Sequence, residues 1–153
     1  MSVNNVALEM ERGPGGMGIR KVSQTVEYSD FTDGGSTSGT LNLRKKIPAG
    51  SLVIGSKVKV IEGFTGDTSC TLDIGTASDA DAFSLTTHNI YTAADNLLEA
   101  ADYAASGSAG FNLVTSDTTV KLTATSNSDW SNVSAGKMVV DVFYLSTNPE
   151  LAD

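Results

Sequence analysis

The chain has few of the residues from which catalytic and metal sites are usually built. Its 153 residues include one histidine and one cysteine. A nucleophile–base pair would have to use His88, and its surroundings, Thr86–Asn89, are typical of a loop. One His and one Cys also cannot complete a structural zinc tetrahedron without carboxylates. The sequence has no P-loop, no GxGxxG unit and no CxxC. We therefore expect no enzyme, no cofactor and no catalytic, cofactor-binding or metal-binding residues.

The single cysteine excludes an internal disulfide. Cys70 alternates with Leu72 and Ile74 in a strand-like segment, so the three side chains share one face. This pattern favours a buried, small hydrophobic side chain over a reactive thiol, which is the alternative.

Basic residues are absent from the middle of the chain. Residues 61–120 contain no Lys or Arg and nine Asp or Glu, whereas residues 1–60 contain eight of the ten basic residues and five acidic ones. The net charge is −8, which argues against nucleic acid as a partner because phosphate backbones select clustered cations. One basic region and one acidic region are typical of a protein that docks on a surface or on copies of itself.

Long apolar runs are also absent. None approaches the ~20 residues of a membrane span, and Met1–Asn5 lacks the basic and hydrophobic regions of a secretory signal. We expect a soluble protein that is made in a cytoplasm and has no membrane partner.

The composition predicts an all-β protein. Ser and Thr number 35, Gly 15 and Pro only three, a mixture that suits strands joined by turns. Seven or eight strand-like segments form a predicted β-sandwich or jelly roll over residues 19–147. The segments are Ile19–Tyr28, Leu41–Ile47, Leu52–Phe64 with a bend at Gly55, Cys70–Ile74, Phe111–Val114, Thr118–Ala124 and Lys137–Leu145. The last is apolar on both faces, which predicts a central strand packed on two sides.

Three regions fall outside this pattern. Residues 1–18 end in a Gly- and Pro-rich stretch and are predicted to form a flexible N-terminal arm, either frayed or ordered on a neighbouring subunit. Residues 148–153 form a short C-terminal tail. Residues 76–110 form one long insertion, in which residues 93–105 are either loop or a short helix that Thr92 caps and Gly107 ends.

Two polar loops contain the best candidate binding residues. Asp73, Asp79 and Asp81 lie close together in sequence; they are either solvated turn carboxylates, calcium ligands or, least favoured, the paired carboxylates of a glycosidase. Their spacing does not match an EF-hand. Trp130, in Asn127–Asn132, either stacks on a sugar or a partner, or caps the end of the core. The run Arg44-Lys45-Lys46 is either a solvated face or a contact with the acidic region of a neighbouring copy.

Part of the sequence resembles a family of virus proteins. The segments Ile47–Ile54, Val58–Val60, Phe64–Gly66, Leu72–Gly75 and Asp79–Phe83 are similar to patterns in virion proteins of tailed bacteriophages, in particular head decoration (cement) proteins. The resemblance covers residues 40–85 and the closing strand. It implies a trimer at the threefold sites of an expanded capsid. It also implies an N-terminal arm that binds the shell, which in this chain would be residues 1–18. It transfers no list of functional residues.

Two functions remain open at this stage. The first is a non-enzymatic virion protein that binds the major capsid protein on the capsid surface, is a trimer as the resemblance implies, and is made in the host bacterial cytoplasm. The second is a glycan-binding module of a tail appendage, with calcium at Asp79 and Asp81 and stacking at Trp130.

Overall fold

The computed structural model describes residues 18–96, 98–102 and 114–146. Within these ranges the chain forms ten strands and two three-residue 3-10 helices, at Tyr28–Asp30 and Trp130–Asn132. The strands are β1 (Ile19–Glu27), β2 (Thr32–Asp33), β3 (Ser38–Ile47), β4 (Ser51–Glu62), β5 (Cys70–Gly75), β6 (His88–Asn89), β7 (Ala94–Asp95), β8 (Glu99–Ala100), β9 (Thr118–Ser126) and β10 (Lys137–Ser146). No helix in the described ranges is long and apolar enough to cross a membrane.

The strands form two antiparallel sheets. Sheet A has the order β1-β10-β4, with β7 and β8 both pairing the far edge of β4, and sheet B has the order β2-β3-β9-β5-β6. If β7 and β8 count as one interrupted strand and β2 as an addition to β3, eight strands remain. The first then pairs the eighth, the second the seventh, the third the sixth and the fourth the fifth. This is the strand order of a jelly roll, which confirms the predicted fold class.

The core lies between the two sheets because strand residues alternate between faces. On β9, Val120, Leu122 and Ala124 are fully buried, as their alternation predicts. Cys70 is buried with Leu72 and Ile74 on one face of β5, which confirms the face that the sequence predicted. The chain closes its core with apolar side chains from every long strand.

Strand β10 is central, but only one of its faces lies in the core. Met138, Val140 and Val142 are buried, whereas Val139 and Phe143 on the other face are only half-buried. The prediction that β10 packs on two sides is therefore wrong for the second face. The reason is that each sheet of a two-layer sandwich has only one covered face.

Strand β4 bends where the sequence placed a bend. Its pairing with β10 shifts register between Phe143 and Tyr144, opposite Gly55 and Val53. A Cβ on Gly55 would overlap the carbonyl oxygen of Glu99, so the glycine lets β8 approach the edge of β4. Tyr28, by contrast, does not share the buried face of Val22 and Val26: it begins a 3-10 helix and is exposed.

The insertion at 76–110 is not helical where the structure describes it. Ala94–Asp95 and Glu99–Ala100 are short strands on the edge of β4, so the helical option for residues 93–105 is wrong up to residue 102. Alanine favours helices only weakly, and the pairing with β4 overrides that preference. The predicted strand Phe111–Val114 lies outside the described residues except for Val114, whose N–H donates to the carbonyl oxygen of Ser51 at 2.9 Å.

The predicted arm and tail also fall outside the described residues, apart from Gly18. Strand β1 begins at Ile19 and β10 ends at Ser146. The division into an arm, a sandwich domain over 19–147 and a tail over 148–153 stays a prediction.

Candidate functional site

The acidic residues of the insertion gather at one edge of the sandwich. Asp79 and Asp81 lie in the turns after β5, and their carboxyl groups hydrogen-bond to each other. Asp102 adds to this group, because its backbone N–H donates to the carbonyl oxygen of Ala82 at 3.1 Å. The hydrogen bond with Asp81, together with partial burial and the charges of Asp81 and Asp102, raises the pKa of Asp79. The arrangement concentrates negative charge on a small area.

Asp73, the third predicted carboxylate, points elsewhere. It lies on β5, where it pairs with Thr123, and alternates with the buried Leu72 and Ile74. In the described part of the chain, no three His, Cys, Asp or Glu side chains lie close enough to hold a metal ion. The calcium hypothesis therefore retains only the pair Asp79 and Asp81. Sequence spacing found that pair but missed Asp102, whose position depends on the fold.

At the same edge of the molecule, backbone hydrogen bonds join the insertion to both sheets. The N–H groups of Ala101, Leu85 and Phe83 donate to the carbonyl oxygens of Ile54, Ala100 and Ile74 in turn, at 3.0, 2.8 and 2.9 Å. These bonds link β4 of sheet A, through the insertion, to β5 of sheet B. The acidic groups are thus held on a firmly bonded segment.

His88 is buried rather than exposed on a loop. It lies in β6 opposite Leu72, is 4% exposed, and its Nε2 has no hydrogen-bond partner among the described residues. Burial lowers the pKa of His88, against the opposing charges of Glu99 and Asp73. The loop prediction at this position is wrong because the pairing that buries His88 joins segments far apart in sequence.

Cys70 has the environment of a structural side chain. Burial, with a smaller contribution from the charge of Asp67, raises the pKa of its thiol to about 12. A thiol with so high a pKa carries almost no thiolate near neutral pH and is a poor nucleophile.

Trp130 caps the core, which was one of its two predicted roles. Its indole is 5% exposed and lies 5.2 Å from the ring of Phe31, which in turn contacts Phe64 edge to face at 6.0 Å. Asp129 accepts hydrogen bonds from the backbone N–H and the hydroxyl of Ser131, at 2.9 and 2.6 Å, and fixes the turn. The buried indole offers no open face for a sugar.

The basic run lies at the opposite edge of the sandwich. Arg44, Lys45 and Lys46 are exposed and occupy the part of β3 where its pairing with β9 shifts register. The backbone N–H of Arg44 donates to the side-chain Oε1 of Gln24 at 2.9 Å, so β1 and β3 meet here. Among the described residues, these three cations form no ion pair.

Comparisons with known proteins identify a likeness in fold. No known protein-family model matches the chain, and no curated protein matches it. A solved structure titled "Cyanophage Pam1 capsid asymmetric unit" contains a chain with a TM-score of 0.52 and 19% identical residues. The match covers 86% of this chain and 87% of that one. The likeness shows a shared fold.

Proposed function

We propose that this chain is a non-enzymatic structural protein of a phage virion, which binds the major capsid protein on the outside of the shell and stabilises it as a trimer. The observation that supports this most is the likeness in fold to a chain of a cyanophage capsid asymmetric unit, over most of both chains. Jelly rolls are common in viral capsid proteins. The protein is made in the host cytoplasm and resides on the virion.

An apolar strip on the outer face of sheet A is the surface we assign to the shell. Ile19, Leu145 and Leu52 lie side by side on β1, β10 and β4, and Phe143 lies one row further along. Ile19 is 69% exposed, while the other three are half-buried. The strip lies at the start of β1, where the predicted arm joins the sandwich.

Stabilisation follows from burial of this strip. Each Å² of apolar surface removed from water contributes about 25 cal/mol, so every occupied site lowers the free energy of the intact shell relative to the burst one. Three linked copies raise the apparent affinity without any new contact.

The proposal is tested on purified virions that carry the gene for this chain. We expect the chain among the stoichiometric proteins of the particle, on the outer surface in cryo-electron microscopy maps. Particles that lack it should release their DNA at a lower temperature. Absence of the chain from purified virions would contradict the proposal.

A matched pair of variants tests the apolar strip. Ile19→Asp places a charge in the strip and should reduce capsid occupancy several-fold, since the charge would have to be desolvated on binding. Thr25→Asp places the same charge on the same exposed face of β1, six residues beyond Ile19 and away from the strip, and should leave occupancy unchanged. Equal occupancy for the two variants would show that this strip does not face the shell.

The second hypothesis, a glycan-binding module of a tail appendage, has less support. Jelly rolls also occur in lectins, but the indole of Trp130 is buried against Phe31. Binding on a glycan array that a calcium chelator abolishes would favour this function over the first.

A further inference from the structure

A recess opens on the outer face of sheet B, on the side away from the core. Its volume is about 280 Å³, and its lining residues are Thr32, Thr40, Leu41, Asn42, Ala77 and Lys121. The floor belongs to two paired strands, because Asn42 of β3 lies opposite Lys121 of β9. Thr32 of β2 borders the recess on one side, and Ala77, in the turn after β5, borders it on the other. The hydrogen-bonded strands of the sheet therefore hold most of the lining in place.

The polar side chains of the recess have no partners among the described residues. Thr32 and Thr40 each supply a hydroxyl group, and Asn42 supplies an amide. Lys121 supplies an ammonium group on a half-buried side chain. None of these four side chains forms a hydrogen bond or an ion pair with a residue that the structure describes. A ligand that carries both hydroxyl groups and an acid group would pair with all of them.

Three further cations lie beside the recess on β3. Lys46 lies opposite Thr119, which is two residues before Lys121 on the same face of β9. Arg44 and Lys45 precede it and are exposed. None of the three forms an ion pair within the described part of the chain. In a chain whose net charge is −8, this local excess of cations favours an anionic ligand.

The carboxylates near the recess do not pair with these cations. Asp73 is on the outer face of sheet B, one row further along. The carboxyl group of Asp79 hydrogen-bonds to that of Asp81, and Asp117 accepts the backbone N–H of Ala49 at 3.1 Å. Among the described residues, none of these four carboxylates forms an ion pair. The cations therefore stay available to a ligand from outside the chain.

We propose that the recess binds an anionic polysaccharide. One sugar residue occupies the recess: its acid group binds Lys121, and its hydroxyl groups bond to Thr40 and Asn42. Further acid groups along the polymer then meet the cations of β3. The volume lies just below the ~300 Å³ at which pockets for drug-sized ligands begin, so it suits one sugar residue of a longer chain.

A protein partner suits this surface less well. The centre of a protein–protein contact is apolar and rich in aromatic side chains. Four of the six residues that line the recess are polar, and none is aromatic. The lining thus offers hydrogen bonds in place of apolar area, which favours a hydroxylated ligand.

This inference goes beyond the proposed function and does not depend on it. The apolar strip that we assign to the shell lies on the outer face of sheet A, whereas the recess lies on the outer face of sheet B. The outer faces of a two-layer sandwich point in opposite directions, so a copy bound through the strip would present the recess to the medium. The recess uses neither Trp130 nor the Asp79–Asp81 pair and is therefore distinct from the calcium-dependent glycan site of the second hypothesis.

Binding of polymers with defined charge tests the site on the purified full chain. Hyaluronate carries carboxylates on its sugars and heparin carries sulfates, whereas dextran is neutral and polyglutamate is anionic without sugar rings. In calorimetric titrations at low salt, at least one of the two anionic polysaccharides should bind, and the tighter of them identifies the acid group. Dextran and polyglutamate should bind much more weakly. Raising the ionic strength to about 1 M, where the screening length is about 3 Å, should weaken the binding, and a calcium chelator should not change it.

Matched variants locate the binding on the molecule. Lys121→Gln removes the cation of the recess and should weaken binding by about tenfold or more, as expected for hydrogen bonds to a charged group. Lys59→Gln removes an exposed cation from the outer face of sheet A and should leave the affinity unchanged. Thr40→Val keeps the size of the side chain but removes its hydroxyl group, so it should weaken binding several-fold without changing the salt dependence. Thermal melting checks that every variant remains folded.

Several results would overturn the inference. Absence of binding to both anionic polysaccharides at low salt would contradict the site itself. Equal losses in Lys121→Gln and Lys59→Gln would show that the binding follows net charge and has no place on the molecule. Equal binding of polyglutamate would assign the cations to an acidic protein partner, and displacement of the polysaccharide by an equal concentration of duplex DNA would assign them to nucleic acid.

Discussion

The indole of Trp130 lies so close to Gly39 that no side chain fits between them. A Cβ on Gly39 would lie 2.6 Å from the Cδ2 and Nε1 atoms of Trp130, well inside van der Waals contact. Gly39 is on β3, where it pairs with Ala124 of β9. The strand therefore cannot move away from the ring without disturbing this pairing. The polar loop around Trp130 therefore packs on sheet B only because position 39 has no side chain.

We predict that Gly39→Ala destabilises the fold. The added methyl forces the indole from its position over the core, and overpacking of this kind costs about 1–3 kcal/mol. Chemical denaturation with Trp fluorescence measures both the loss of stability and the displaced ring. Gly18→Ala is the control, because a Cβ there meets nothing within 4 Å, and it should leave the midpoint unchanged.

Acid should destabilise the protein through His88. Burial lowers the pKa of His88 in the folded chain, whereas in the unfolded chain this pKa stays at about 6.5. The unfolded state therefore binds the proton first, and stability that is present above pH ~6.5 is lost as the pH falls towards the folded pKa. Thermal melts of the unchanged chain and of His88→Gln, taken from pH 7 to pH 5, measure this.

The expected result is a melting temperature that falls more steeply with acid in the unchanged chain than in His88→Gln. Expressed as free energy of unfolding, the two pH dependences can differ by at most about 1.4 kcal/mol per pH unit, which is the value for one proton. Parallel curves would mean that His88 does not resist protonation in the fold.

Cys70 should not react with thiol reagents while the protein is folded. Its pKa of about 12 and its burial leave neither thiolate nor access. We expect no modification by a disulfide reagent at pH 8, and one thiol per chain after the addition of denaturant. Rapid labelling of the native protein would contradict the buried assignment.

Asp79→Asn should stabilise the protein at neutral pH. The pKa of Asp79 is raised by its hydrogen bond with Asp81, by partial burial and by like charges. The folded chain therefore holds this proton more tightly than the unfolded chain, and the ionised carboxylate opposes folding above the folded pKa. The amide removes that penalty, so the melting temperature should rise at pH 7.

The gain from Asp79→Asn should shrink as the pH falls below the folded pKa of Asp79 and towards its ordinary value of 3.8. Glu62→Gln removes one negative charge at the exposed end of β4 and is the control for net charge. If both variants gain equally, the effect belongs to the overall charge and not to the Asp79–Asp81 pair.

The sequence predicts the features that depend on neighbours along the chain. Alternation placed Val120 and Leu122 in the core, and the glycine at position 55 marked the bend of β4. The spacing of Asp79 and Asp81 put two carboxylates together. Each of these rests on the period of a strand or on a residue with unusual freedom.

The features that the sequence did not predict depend on long-range pairing. His88 is buried because β6 pairs with β5, and Ala94–Asp95 and Glu99–Ala100 are strands because β4 offers them an open edge. Asp102 joins the other acidic residues of the insertion through a backbone bond to Ala82. Neither periodicity nor propensity within these short segments indicates such partners.

The pairing of β1 with β10 also sets when the molecule is able to fold. Ile19 lies opposite Leu145, so β1 cannot form its pairing until β10 has been synthesised. In sheet A, β10 lies between β1 and β4 and pairs with both. During synthesis, β1 and β4 emerge long before β10, and until then each of them lacks the strand with which it pairs. Folds dominated by such distant pairings form slowly, and their unpaired strands are exposed to aggregation in the meantime. For this chain, sheet A should therefore be completed only once β10 is available, and the yield of native protein should depend on whether the unpaired β1 and β4 stay soluble until then.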